Sequence, residues 1–88
     1  MLEGTLYAEK VVSVYTCTHA SNTFIREVRI THRVLGCEVI YIKNDETGNP
    51  LGEVIYSAQN STRYCDGKGA GFVTKTLEAK YGWTCQLQ

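Results

Sequence analysis

Three groups of residues in this chain are of types that do chemistry. They are the run Gly67-Lys68-Gly69-Ala70-Gly71, the cysteines at 17, 37, 65 and 85, and the bases Arg26, Arg29, His32 and Arg33. Glycines just ahead of a helix could turn backbone N–H groups toward an anion, with the helix dipole and Lys68 adding positive potential. The run departs from the known nucleotide loops. Gly69 follows Lys68 where a phosphate-binding loop needs Ser or Thr, and no βαβ unit follows. A double-stranded-RNA-binding helix would open with adjacent lysines, and Phe72 and Val73 stand there instead. The run is therefore expected to be a loop that turns the chain into a helix, with Lys68 at its tip as a contact residue.

The cysteines have no Cys-x-x-Cys spacing, and neither histidine is placed to complete a zinc knuckle. Cys17-Thr18-His19 alone specifies neither a metal site nor a Cys–His dyad. An even cysteine count in a short secreted chain would allow two disulfides in three connectivities. With no leader pattern at Met1-Leu2-Glu3-Gly4, the expectation is a cytoplasmic protein with buried free thiols acting as small apolar residues. The secreted, disulfide-stapled domain is the alternative. No paired carboxylates or metal triad stand out, so the chain is read as a non-enzyme without metal or cofactor.

Among the bases, Arg29 and Arg33 fall on one parity of a strand and Arg26 and His32 on the other. They could meet nucleic acid or an acidic surface, or simply solvate a strand edge. Six tyrosines and one tryptophan are many for 88 residues, and exposed aromatics commonly anchor protein interfaces. Tyr41 and Tyr56 are expected on a hairpin, where an open sheet face would present them to a partner.

The elements that must position these groups follow from periodicity. Residues 5–17 read as a strand with a possible bend near Glu9-Lys10, and 18–22 as a turn. Residues 23–34 fit either strand or helix, and their β-branched content favours strand. Residues 37–43 are apolar on both faces, as in a central strand. Asn44 to Pro50 is dense in turn formers, and residues 52–58 return as the second arm of a hairpin. Ala70, Val73, Leu77 and Tyr81 recur at helical spacing, which predicts a helix over 70–81, stopped by Gly82 with Trp83 folded onto the core. The predicted fold is α+β: one domain with an antiparallel sheet of about four strands and one C-terminal helix on one face.

The balance of nine basic and nine acidic residues gives zero formal net charge. That disfavours binding driven mainly by phosphates. No apolar run is long enough for a membrane helix. The expected function is binding another protein, as an adaptor or inhibitor, through the sheet face or the Gly-rich loop, with a homodimer as a natural extension. Tyr41, Tyr56, Arg29, Arg33 and Lys68 are the candidate contact residues. A nucleic-acid-binding module using Arg26, Arg29, Arg33 and Lys68 is the alternative.

Overall fold

A computed structural model gives the arrangement of residues 9–44 and 51–88. The strand expected over residues 5–8 and the turn over 45–50 lie outside the described residues. Strands β1 (Lys10–Thr18), β2 (Ile25–His32), β3 (Cys37–Asn44) and β4 (Leu51–Ala58) follow one another. Helix α1 (Arg63–Gly71) then continues into a π-helical segment (Phe72–Glu78), and β5 (Thr84–Leu87) ends the chain. The sheet is antiparallel throughout, in the order β4-β3-β2-β1-β5. The α+β architecture is the expected one, with β5 as a fifth strand. Residues 25–32 take the strand alternative, and the β3–β4 hairpin forms in register from Cys37↔Ala58 to Lys43↔Leu51.

Period-2 alternation sorts the sheet into two faces. Cys17, Val28, Ile30, Cys37, Val39 and Tyr41 point to the helix and are buried. Val14, Ile40, Ile42 and Val54 share the opposite face, away from the helix, with Glu27, Arg29 and Glu38. A register shift in β4 leaves Ile55 as an extra residue between Val54 and Tyr56. This bulge turns two consecutive apolar residues, Ile55 and Tyr56, toward the helix, where both pack against the core. Thr31 is the buried polar residue of the sheet, and its hydroxyl finds no partner.

The helix begins earlier than its apolar spacing predicts. It starts at Arg63 rather than Ala70, so Gly67, Gly69 and Gly71 lie within helical turns and not in a loop. Cys65, Gly69, Val73 and Leu77 form its buried stripe at i, i+4, i+8 and i+12. Cysteine and glycine are two of those four positions, which hid the first turns from a search for large apolar side chains. At Gly69 a Cβ would come within 2.5 Å of Ile30 Cδ1, so the glycine lets the helix lie directly on β2. Gly67 and Gly71 face open space, with nothing within 4 Å of an added Cβ.

Beyond Gly71 the hydrogen bonds lengthen to i→i−5: Ala79 N–H to the Thr74 carbonyl at 3.0 Å and Tyr81 N–H to the Thr76 carbonyl at 3.1 Å. Thr74 Oγ1 donates to the Ala70 carbonyl at 3.1 Å, a side-chain bond that competes for the helix ladder. Gly82, at φ +78°, then reverses the chain as expected. Trp83 N–H returns to the Leu77 carbonyl at 2.9 Å, the indole is buried, and the chain enters β5.

The cysteines are not free thiols. Cys17 bonds Cys85 across the β1–β5 pair, and Cys37 bonds Cys65 between β3 and the first turn of α1. Their Cα atoms are 4.0 and 5.9 Å apart. The reason lies in topology: β5 returns to the edge of β1, and the helix begins over the start of β3, so residues far apart in sequence become neighbours. Closing loops of 68 and 28 residues stabilises by about 4 kcal/mol each in the chain-entropy account, less when the nested loops are taken together. That is comparable to the whole stability expected of a domain this small.

Two outcomes follow for stability. Reduction should add a pair of hydrogens per disulfide, read by intact mass, and lower the melting temperature by roughly 15 °C or more. Gly67→Ala and Gly71→Ala should each stabilise by about 0.5–1 kcal/mol, through helix propensity at unobstructed sites. Gly69→Ala should destabilise, because its methyl group must displace buried Ile30; thermal melts of the three variants separate these signs.

Candidate functional site

The concave surface lies between the helix and the sheet. The helix packs over β2, β3 and β4, and its continuation runs on toward β5 beside the Lys43 end of β3 and the Glu53 end of β4. The opening is a cleft of about 550 Å³. Tyr41, Arg26 and Lys43 form its floor, and Glu53 and Ile55 its β4 side. Phe72, Thr76, Leu77 and Tyr81 make the helical wall, with Trp83 and His19 at the closed end. The i→i−5 winding is what brings Phe72, Thr76, Leu77 and Tyr81 to one face over two turns. π-helical insertions recur at functional sites.

Arg26 is the centre of this cleft. Its guanidinium carbon lies 4.7 Å from the Trp83 ring centroid and 5.8 Å from that of Tyr41, and Nη1 donates to the Tyr41 hydroxyl. Lys43 Nζ sits 5.6 Å from the same tyrosine ring. Phe72 meets Tyr41 edge-on at 5.0 Å. His19 is fixed beside Trp83. Its Nδ1 accepts the Ser21 backbone N–H at 3.1 Å, so in the neutral ring Nε2 carries the proton and donates to the Tyr81 carbonyl at 3.0 Å. The imidazole also packs against Trp83 edge to face at 5.0 Å.

A second groove of about 430 Å³ continues from the first along the outer side of the helix, sharing Phe72 and Thr76. Its walls are Tyr56 on β4 and Tyr64 and Lys75 on the helix, and Gly67 and Gly71 line it. Lys68 Nζ lies 5.5 Å from the Tyr56 ring and 5.7 Å from the Tyr64 ring, cation–π distances for both.

The residues singled out from sequence divide between two surfaces. Lys68 and Tyr56 meet in the second groove, and Tyr41 floors the first cleft. Lys68 stands on a helix, not at a loop tip. Tyr41 and Tyr56 lie on the helix-covered face rather than the open one, with Tyr41 buried. Arg29 lies on the opposite face, paired with Glu27. Arg33 follows β2, with Nη1 3.1 Å from Glu9 and 3.4 Å from Glu38. Arg29 and Arg33 therefore form no single basic surface with Lys68. His32 is engaged with Asp66 at 2.8 Å.

Sequence reasoning named Arg26 only as a nucleic-acid contact and did not place Lys43, Phe72 and Tyr64 in a site. The available signal was parity, since Arg26 and Lys43 stand opposite each other in the β2–β3 register, but it is readable only once that register is known. Among the described residues no three His, Cys, Asp or Glu side chains gather as metal ligands, and no helix is long and apolar enough to cross a membrane. No protein-family profile, curated protein or solved structure matches the chain.

Arg26→Ala should test the cleft's construction. Loss of the Tyr41 hydrogen bond and the packing on Trp83 should cost about 1–2 kcal/mol. It should also move the emission of the single tryptophan to longer wavelength, as measured by fluorescence and denaturant melts.

Proposed function

We propose that this protein is a non-enzymatic binding domain, and that its working surface is the helix-side cleft with its adjoining groove. One observation carries this reading: charge is segregated there. Arg26, Lys43, Lys68 and Lys75 line the two concavities, and Glu53 is the single carboxylate among the described residues that line them, in a chain whose formal net charge is zero. Aromatic rings interleaved with these cations favour a protein partner that offers carboxylates beside apolar groups. Duplex nucleic acid is less well suited, because the arginines that would extend the basic surface lie on the far face with carboxylates.

The disulfides favour the stapled-domain reading of the chain and an oxidising compartment over the cytosol. Reducing conditions would open both cross-links, and the small core relies on them.

The test is affinity capture under non-reducing conditions, with the intact protein and a Lys68→Glu/Lys75→Glu variant as baits. A partner held by the cationic surface should be retained by the first and lost, about tenfold or more, by the second. Arg29→Glu on the opposite face should leave retention unchanged. A partner lost with Arg29→Glu but kept by the double lysine variant would overturn the assignment.

A further inference from the structure

Two glycines of α1 have no intramolecular reason to be glycine. Gly69 is accounted for by Ile30, but Gly67 and Gly71 sit in ordinary helical turns with open space where a side chain would stand. Glycine in such a position weakens a helix. Both line the 430 Å³ groove, one helical turn apart, and the other wall of that groove carries Tyr56 of β4. Among the described residues β4 has a sheet neighbour on one side only, so a row of its backbone N–H and C=O groups is unpaired. The two missing side chains leave the helix wall of this groove open where it faces Tyr56 of the edge strand.

We propose that an extended segment of a partner protein adds to the sheet as a sixth strand along β4, with its helix-side residues lying in the channel over Gly67 and Gly71. This rests on the binding-surface reading above and specifies the partner. Pairing to β4 fixes a period of two for the added strand. Alternate residues would point to the helix side, where Lys68 and Lys75 await carboxylates and Tyr56 and Tyr64 flank them. The residues between would fall on the open face beside Val54, which is 50% exposed, and extend the aliphatic surface of Ile40 and Ile42. The segment that fits is therefore extended, acidic on one parity and apolar on the other. A helical partner does not fit, since it cannot satisfy the β4 edge. A basic segment would set its charge against both lysines.

The probe is a synthetic peptide of four Val-Glu repeats, acetylated and amidated, with a Val-Lys peptide of the same length as its counterpart. The Val-Glu peptide should bind saturably, and the Val-Lys peptide should not. In bound protein, amide exchange of alternate β4 residues should slow at least about tenfold. Gly67→Gln/Gly71→Gln fills the channel on an exposed helix side. It should melt no lower than the parent protein, so that its loss of peptide binding reflects the blocked channel. Failure of both peptides to bind, equal binding by the glutamine variant, or unchanged β4 exchange would each overturn strand addition. The cleft reading is scored separately by Trp83 fluorescence and by the double lysine variant. A captured partner that perturbs Trp83 and depends on Lys68 and Lys75, yet leaves β4 amides unprotected, would sink strand addition and leave the cleft standing.

Discussion

The structure depends on covalent closure of a small core. Its buried apolar residues are Val28, Ile30, Val39, Tyr41, Val73, Leu77 and Trp83, joined by the half-cystines Cys17, Cys37 and Cys65. A chain of this size buries a modest share of its surface, and among the described residues the helix covers one face of the sheet. The cross-links are placed where the chain would otherwise come apart. One ties the helix to the sheet at its first turn, and the other ties the short last strand to β1. Between them the helix rests on Ile30 and Val39 at the glycine contact and diverges toward β5, and that divergence opens the cleft.

The same arrangement explains why the two faces differ in character. On the face away from the helix, charges are answered locally by Glu27 with Arg29 and by Arg33 with Glu9 and Glu38. On the helix side, Lys68 has tyrosine rings for neighbours, as does Lys43, and Arg26 bridges Tyr41 and Trp83. A lysine whose described neighbours are aromatic faces, as Lys68 is, keeps much of its charge available to an incoming carboxylate. The π-helical turns add a physical device to this. Their wider winding gathers Phe72 at the start of the segment and Tyr81 in the turn after it onto one wall.

Elements with long alternating or β-branched runs were legible. The β3–β4 hairpin, the turn at residues 18–22, the stop at Gly82 and the inward fold of Trp83 all follow from residue type. The first turns of the helix were not, because their buried positions are Cys65 and Gly69 rather than large aliphatics. β5 was missed because four residues, Thr84–Leu87, are too few to display a period. The face carrying Tyr41 and Tyr56 also came out opposite to expectation. Parity shows that residues alternate but not which parity the helix will cover.

Sequence by itself determined the class of object: a small α+β domain whose strand-forming segments precede one helix, with a left-handed glycine ending that helix. These are local properties, set by backbone sterics and side-chain periodicity within a few residues. Tertiary structure alone decided the cysteine pairing, the packing of Arg26 on Trp83, the separation of Arg29 and Arg33 from Lys68, and the conversion of a glycine run from loop to helix and groove wall. Each depends on which distant segments become neighbours. That is a property of strand order and helix placement, which no local spacing in the chain encodes.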